Sequence, residues 1–336
     1  MKAIGFFKHD PQTGTESLRD IEIPKPSPTG RDLLVKIEAV SVNPVDVKTR
    51  ARVPPDKKDA TILGFDAAGV VEAVGDKVRN FKPGDEVFYA GTLVRPGTYA
   101  EYHLVDERIV GPKPGSLNFT EAAAVPLTAI TSWEMLFHRL AIGEGSSGAS
   151  VLIVGGTGSV GSMAVQLASQ LTKLTVVTTS FDDEKERQWC RKNGADHVLD
   201  HGKPLAAQVA ALNIAPVKYV FSTNMTGHHF PEIAELIAPQ GRFGLIDDPE
   251  PFDLRLVKVK SVSTHWENMF TRSIFQTEDI EAQHELLTRV SKMIDNGQIR
   301  TTLAEVLGPI NAANLSAAHA RIWERRAPGK MVMVGF

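Results

Sequence analysis

One segment limits the fold of this chain more than any other: residues 151–168, with the sequence VLIVGGTGSVGSMAVQLA. Four apolar residues lead into a glycine-rich turn, and a pattern of helical spacing follows directly. In such a strand–turn–helix unit, the first glycine allows a tight turn, the second lets a pyrophosphate approach the backbone, and the third lets helix and strand pack closely. Gly156, Gly158 and Gly161 stand at these positions. The segment predicts a dinucleotide site, although a glycine turn without a ligand has the same pattern.

The surrounding sequence predicts a doubly wound α/β domain. Between Ser150 and Asp247 apolar strands alternate with helices, which gives right-handed crossovers and a parallel sheet with helices on both faces. The first third has short β-branched runs separated by proline and glycine, which predicts a mostly β module. The two patterns together predict two domains, as the length of 336 residues does.

The segments outside the alternating region are assigned by their spacing. Residues 118–140 have helical spacing behind Thr120, a possible helix cap. Residues 255–266, RLVKVKSVSTHW, are strand-like, residues 280–299 are helical, and GKMVMVGF closes the chain as a strand.

Composition excludes several classes of protein. With 42% hydrophobic and 23% charged residues the chain has a globular composition, and no apolar run approaches the ~20 residues of a membrane span. Lys plus Arg total 37 and Asp plus Glu total 40, scattered along the chain, which argues against nucleic acid as a partner. The charged beginning MKAIGFFKHDPQTG is unlike a secretory signal, so we expect a cytoplasmic protein.

The residue types that bind metals are sparse. Cys190 is the only cysteine, lies in a helix-like stretch, and is interpreted as a buried or half-buried bystander. Two histidine sets have suggestive spacing but no third ligand, and are interpreted as loop or strand-end residues: His197 and His201 with Asp200, and His228 with His229.

Three segments carry a family resemblance: residues 64–87, 97–136 and 155–168. Together they resemble the medium-chain dehydrogenase/reductase superfamily, and within it the quinone oxidoreductases and zinc-type alcohol dehydrogenase-like proteins. The likeness runs essentially end to end. It implies a mostly β, GroES-like catalytic domain from residues 1–124 and 265–336, and a Rossmann cofactor-binding domain from residues 125–264, with the closing strand returning to the first domain.

The resemblance also indicates where a catalytic zinc would be held. The positions that match the zinc ligands of the metal-containing members are Asn43, Phe65 and Ala124, and none of these side chains ligates zinc as a thiolate or imidazole does. The segment 87–103, which matches the structural zinc lobe, has no cysteine. We therefore predict no metal in this chain.

A member without zinc lacks the Lewis acid that polarises an alkoxide, but it can reduce an electrophilic acceptor. The resemblance thus implies an NADPH-dependent, zinc-independent oxidoreductase that transfers hydride to a quinone or an α,β-unsaturated carbonyl. An NADPH-dependent carbonyl reductase of small aldehydes or ketones and a non-catalytic NADPH-binding sensor are the alternatives. Because relatives often pair through an exposed sheet edge, we expect a homodimer.

Four residues are the catalytic candidates: Asn43, Asp46, Tyr89 and Trp266. Asn43 could donate an amide hydrogen bond to the acceptor or the nicotinamide ribose, or cap the following turn. Asp46 could orient nearby groups or lie in a surface turn. Tyr89 and Trp266, together with His265, could wall a flat acceptor or complete a core.

The cofactor candidates are the glycine turn and three residues outside it: Gly156, Thr157, Gly158, Ser159, Val160, Gly161, Thr128, Ser180 and Lys185. Thr128 matches the family threonine beside the nicotinamide, or is a helix hydroxyl bonded to its own backbone. At the end of the second Rossmann strand, Ser180 stands where NAD-selective members have an acid, and Lys185 could pair with a 2′-phosphate. A shift of one or two residues would instead bring Asp182 there. We interpret Asp182 as an acid at the N-terminus of the following helix rather than as a ribose ligand, and the sequence therefore favours NADPH.

Overall fold

The computed structural model describes residues 1–8, 15–54, 59–181, 183–323 and 329–336. The chain divides into a terminal unit, Met1–Leu127 with Phe270–Phe336, and a central unit, Thr128–Met269. Both observed boundaries fall a few residues later in the chain than those implied by the resemblance, and the first lies inside a helix, Pro126–Trp133.

Strands and helices are numbered in chain order. The strands are β1 (Lys2–Phe7), β2 (Ser17–Glu22), β3 (Asp32–Val42), β4 (Thr61–Ile62), β5 (Ala67–Val74), β6 (Glu86–Tyr89), β7 (Tyr102–Asp106), β8 (Val110–Pro112), β9 (Ser147–Val154), β10 (Lys173–Ser180), β11 (His197–Asp200), β12 (Val217–Ser222), β13 (Arg242–Leu245), β14 (Ser263–Trp266), β15 (Leu303–Val306) and β16 (Lys330–Val334). The helices are α1 (Pro44–Arg52), α2 (Phe119–Ala123), α3 (Pro126–Trp133), α4 (Ser159–Leu171), α5 (Glu184–Lys192), α6 (Leu205–Ala211), α7 (Thr226–Leu236), α8 (Thr271–Phe275), α9 (Ala282–Asp295) and α10 (Ala312–Trp323). Over the described ranges, no helix has the length and apolarity needed to cross a bilayer.

The terminal unit is built around β3, whose long apolar run is buried along most of its length. Its sheet has the order β15-β16-β3-β5-β6-β8, and β7 also pairs with β3. A smaller antiparallel sheet has the order β2-β1-β4. The last strand, β16, pairs antiparallel with β3, with Met331 opposite Val42. This pairing confirms that the closing strand returns to the first domain.

The central unit holds a parallel sheet with the order β11-β10-β9-β12-β13-β14. Counted from β9, this is the 3-2-1-4-5-6 order of a doubly wound dinucleotide-binding sheet, so the predicted fold is confirmed. The apolar faces of β9, β10, β12 and β13 form one buried cluster with α7, through Phe230 and Ile233. In such a sheet, ligands bind beyond the carboxyl ends of the strands where the strand order reverses, here between β9 and β12.

Two local predictions were wrong. The strand-like segment 255–266 is a strand only in β14, because Leu254–Lys260 forms a 3₁₀ helix. Of the apolar residues in that helix only Val257 is buried, and the exposed Val259 shows that the alternating pattern did not mark a core face. The helical region after residue 118 begins at α2 with Asn118 as its cap rather than Thr120, since the Asn118 side chain accepts from the Glu121 N–H at 2.9 Å.

Candidate cofactor and active site

The glycine turn of the central unit connects β9 to α4. The Gly155 N–H donates to Thr179 Oγ1 at 2.8 Å, and the Gly156 N–H donates to the Thr179 carbonyl at 3.0 Å. Gly155 has a φ of 89°, a backbone conformation that residues other than glycine rarely adopt. The turn is therefore fixed against the carboxyl end of β10, and α4 begins just beyond it with Gly158 as its cap.

The three motif glycines differ in what requires them. A Cβ atom on Gly156 would lie 2.0 Å from Thr178 Oγ1, and one on Gly161 would lie 2.1 Å from the Gly155 carbonyl oxygen. A Cβ on Gly158 would meet nothing closer than 3.5 Å. Packing within the protein explains the first and third glycines but not the second, which is the position where a pyrophosphate approaches the backbone.

The remaining predicted turn residues surround the beginning of α4. Ser159 is the first residue of the helix, and the carbonyl of Val160 accepts from Ser132 Oγ at 3.0 Å. Thr157 lies in the turn itself and is partly exposed. The free N–H groups and positive dipole end of a helix favour an anion, so the turn and α4 together fit the pyrophosphate of a dinucleotide.

The end of β10 is the region that the sequence assigned to the ribose. Ser180 is buried there, and within the described ranges its Oγ atom has no hydrogen-bond partner. Asp183 is the N-cap of α5 and accepts from the N–H groups of Lys185 and Glu186. Lys185 is exposed in the first turn of α5. Asp182 lies outside the described residues.

Two histidines that the sequence placed in separate sets meet beside this region. His201, just after β11, and His229, in α7, approach Nε2 to Nε2 at 3.1 Å. The other ring nitrogen of His201 contacts Thr179 Oγ1 at 2.9 Å, and burial lowers the pKa of both imidazoles, to about 4 for His229. In the described part of the chain, no group of three or more His, Cys, Asp or Glu side chains is arranged to hold a metal ion.

Thr128, Trp266 and Cys190 lie elsewhere in the central unit. Thr128 is fully buried in α3, whereas Trp266 is 56% exposed at the end of β14. His265, also in β14, contacts Ser263 Oγ at 3.1 Å. Cys190 is buried in α5, as predicted, and burial raises its pKa to about 12.

A buried carboxyl pair in the central unit was missed by the sequence analysis. Glu267, just after β14, is buried near Glu134 and accepts from Arg139 Nε at 2.7 Å. Burial raises the pKa of Glu267, and the neighbouring Glu134 raises it further. These contacts connect the π-helical segment Glu134–Arg139, which follows α3, with the residue just after the last strand of the sheet.

In the terminal unit, a buried polar cluster forms around Lys330, the first residue of β16. Its ammonium donates to Asp66 Oδ2 at 2.5 Å, to Ser41 Oγ at 3.0 Å and to Asn43 Oδ1. Asp66 also accepts from Ser41 Oγ at 2.8 Å, and its second oxygen accepts from the Leu127 N–H at 3.0 Å. Lys330 and Asp66 are at most 1% exposed. We call these four side chains, Ser41, Asn43, Asp66 and Lys330, the Lys330 cluster.

Asn43 belongs both to this cluster and to the cap of α1. It precedes α1 as the N-cap residue and forms a capping box with Asp46, and its side-chain oxygen accepts from Lys330. Its Nδ2 atom has two long contacts, 3.3 Å to Asp66 Oδ2 and 3.4 Å to the Ser41 carbonyl. Both amide hydrogens are thus directed at Asp66 and Ser41, over distances at the long end of the hydrogen-bond range.

Asp46 is buried in α1, which excludes the surface-turn interpretation. Its Oδ2 atom accepts from the Asn43 N–H at 2.6 Å. Burial raises its pKa to about 7, partly offset by that hydrogen bond, by Tyr99 and by the charge of Lys330. A carboxyl group of this kind holds a proton near neutral pH.

The other two positions matched to zinc ligands are apolar. Phe65 is buried and packs edge-on against Phe270, with ring centroids 5.6 Å apart. Ala124 is fully buried at the end of α2, and its carbonyl accepts from Thr302 Oγ1. With Asn43 bonded to an ammonium group, the donor set does not fit a catalytic zinc.

Tyr89 lies in the core of the terminal unit. It is fully buried, its ring stacks on His103 at 5.5 Å, and its hydroxyl contacts His103 Nδ1 at 3.1 Å. Burial raises its pKa well above the usual value. These are the contacts of a core aromatic residue, and none of them favours the catalytic role that the sequence suggested.

Comparison with known proteins agrees with both units. The Alcohol dehydrogenase GroES-like domain profile matches residues 29–115, and the Zinc-binding dehydrogenase profile matches residues 193–333. A zinc-type alcohol dehydrogenase-like protein of Staphylococcus aureus (strain MRSA252) is 40% identical over 337 residues, covering 99% of each chain. The chain belongs to the medium-chain dehydrogenase/reductase superfamily. It is therefore an oxidoreductase by family.

Other members of the superfamily are also similar. A crystal structure described as that of a candidate zinc-dependent alcohol dehydrogenase from Rhizobium etli CFN 42 has 56% identity and a TM-score of 0.95, covering 100% of this chain and 98% of that one. The 2-methylene-furan-3-one reductase of Solanum lycopersicum is 38% identical over 179 residues, 51% of this chain and 45% of that protein. Zinc appears in the names of some relatives.

Sequence reasoning missed the partners that surround Asn43. Lys330, Asp66 and Ser41 stand next to residues that it did single out, in GKMVMVGF, GFDAAG and SVNPVDVK. A charged residue at the beginning of an otherwise apolar closing strand was the available signal, because a lysine in a buried strand requires a partner.

Proposed function

We propose that this chain is an NADPH-dependent reductase that transfers hydride to a quinone or an α,β-unsaturated carbonyl acceptor without a catalytic zinc. The observation that carries the proposal is the donor set at the superfamily's metal position. An amide, a phenyl ring and a methyl group stand there, and the amide oxygen accepts from a buried ammonium. This set supports hydrogen bonding to an acceptor rather than ligation of a metal.

The cofactor part of the proposal draws on the glycine turn. The backbone around Gly158, the N-terminus of α4 and the unpartnered Ser180 hydroxyl would hold a dinucleotide, and Lys185 would pair with its 2′-phosphate. Bound NADPH would supply the hydride. As hydride reaches the acceptor carbon, the acceptor oxygen gathers negative charge that a directed amide N–H can stabilise. Asn43 is our candidate for that donor, and we assign no role in this step to Tyr89 or Trp266.

The test is NADPH oxidation with a panel of quinones and enones, beside small aldehydes and ketones, and with the Asn43→Ala variant as a second enzyme. We expect turnover of quinones or enones, unaffected by a chelator, and a loss in Asn43→Ala that corresponds to one hydrogen bond, about 1–3 kcal/mol. Turnover confined to aldehydes or ketones would support the carbonyl reductase. Binding of NADPH without any turnover would support the sensor.

Elemental analysis of the purified protein gives an independent check of the zinc-free chemistry. We expect no stoichiometric zinc, because Asn43, Phe65 and Ala124 offer no thiolate or imidazole. About one tightly held zinc per chain would overturn the proposed mechanism.

We also propose that the chain forms a homodimer through β14. This strand is the last in the central sheet as described, and strands at an edge present unpaired N–H and C=O groups to a second copy. The preceding 3₁₀ helix exposes Leu254, Leu256 and Val259, the last by 96%. Light scattering after size-exclusion chromatography should give twice the chain mass, and Val259→Lys should shift the equilibrium toward monomer.

A further inference from the structure

We propose that Lys330 is a positioning residue that fixes the orientation of the Asn43 amide, so that its hydrogens rather than its oxygen are offered to an acceptor. The inference rests on the proposed function for its consequence in turnover. Its structural basis is the Lys330 cluster alone. Asn43, at the first zinc-ligand position, contacts Lys330 directly.

The side-chain amide of Asn43 has two ends with different hydrogen-bonding chemistry. An asparagine amide can point either its oxygen or its nitrogen toward a neighbour, and the two ends have almost the same shape. A lysine ammonium has three donors and no acceptor. The end of Asn43 that faces Lys330 must therefore be Oδ1, and Nδ2 is the end that faces Asp66 Oδ2 and the Ser41 carbonyl.

Asp66 keeps the ammonium in place. A buried charge is tolerated when it is paired and hydrogen-bonded, and Asp66 Oδ2 lies 2.5 Å from the Lys330 nitrogen. The Leu127 N–H at 3.0 Å and the Ser41 hydroxyl at 2.8 Å in turn fix the carboxylate. Lys330 therefore has one defined position from which to orient Asn43.

The consequence is a directed donor. The Nδ2 atom directs its two hydrogens at Asp66 Oδ2 and the Ser41 carbonyl over the long distances of 3.3 and 3.4 Å, so an acceptor oxygen would compete for them with two weak bonds. Such an N–H can strengthen its bond to an acceptor oxygen as charge develops there. Without the ammonium the amide can rotate, and its carbonyl end would repel the same oxygen.

The test is a cycle between Asn43→Ala and the paired variant Lys330→Met with Asp66→Asn, which removes both buried charges and keeps the side-chain shapes. We expect each to lower kcat with the best acceptor by roughly 10- to 100-fold, with the NADPH dissociation constant unchanged. Because Lys330 acts through Asn43, the triple variant should be no slower than the slower of the two. Losses that multiply in the triple variant would overturn the proposal.

The matched control is Arg95→Met with Asp32→Asn, which neutralises another ion pair of the terminal unit, 2.8 Å long and without contact to Asn43. It should leave kcat unchanged. An equal loss in this control would mean that lost charge in the unit, rather than the orientation of Asn43, lowers turnover.

A measurement without turnover separates this inference from the proposed function. In ¹⁵N-labelled protein, the side-chain amide signals of Asn43 are those missing from Asn43→Ala. We expect them to shift and exchange faster with solvent in the paired Lys330 and Asp66 variant. If wild-type protein reduces no acceptor, the proposed function fails and this measurement still decides the inference. Unchanged Asn43 signals would overturn it.

Discussion

The glycine turn and the Lys330 cluster are two ways of building a polar site, and they differ in where the polar atoms come from. The turn uses backbone N–H groups of consecutive residues, and its geometry is set by the close contacts of Gly156 and Gly161. The cluster uses side chains from distant positions, since Asn43 and Lys330 are 287 residues apart. We expect the first kind of site to be sensitive to added volume at Gly156 and Gly161, and the second to be sensitive to the loss of one partner of its ion pair.

The largest loss of stability is expected from Lys330→Met alone. It leaves Asp66 buried and charged without its ammonium, and loss of one partner of a buried pair costs about 3–5 kcal/mol in the free energy of unfolding. Chemical denaturation would measure the loss. The paired variant with Asp66→Asn should recover most of it. A loss below about 1 kcal/mol would show that the cluster is not the rigid unit described here.

Asp46 adds a pH dependence to the same region. Its pKa is raised to about 7 in the folded protein, so the folded state holds this proton more tightly than the unfolded state does. Its contribution to stability is present at low pH and is lost as the pH rises from about 4 to 7, by up to about 4 kcal/mol. Asp46→Asn should therefore gain stability relative to wild type across that window. Thermal melts of both proteins from pH 4 to 8 would measure the difference, and a constant difference would contradict the prediction.

Two glycine substitutions test the backbone site. Gly161→Ala places a Cβ atom 2.1 Å from the Gly155 carbonyl, so α4 must move, and we expect a loss of about 1–3 kcal/mol in stability. Gly158→Ala meets nothing within 3.4 Å, so stability should change by less than about 1 kcal/mol while NADPH binds about tenfold more weakly. Thermal melts and fluorescence titration would separate the two effects. Equal NADPH affinity in Gly158→Ala and wild type would mean that no ligand approaches this glycine.

The smallest effect concerns the choice between cofactors. We expect NADPH to bind at least ~10-fold more tightly than NADH, about 1.4 kcal/mol, and Lys185→Ala to reduce the difference without changing NADH affinity. Fluorescence titration of both reduced cofactors would measure it. Equal affinities, or a preference for NADH, would mean that an acid such as Asp182 binds the ribose hydroxyls.

The sequence predicted what is local. The glycine turn, the strand–helix alternation and β11 depend on neighbouring residues, so their spacing was sufficient. The prediction of a strand over residues 255–266 failed because an alternating pattern does not show whether its apolar residues pack in a core. Val259 is exposed. The site was predicted only as far as Asn43 and Asp46. The Lys330 that bonds to Asn43 is supplied by β16, and pairing between distant strands is a property of the whole fold.

The position of Lys330 in the last strand has a consequence for how the protein is made. When a ribosome synthesises this chain, Asn43 and Asp66 emerge early, and the whole central unit, Thr128–Met269, is synthesised before the ammonium that Asp66 requires. Until then β3 also lacks the neighbour that β16 provides. The terminal unit therefore cannot complete its sheet, or pair Asp66 with its ammonium, until the last residues of the chain have been synthesised.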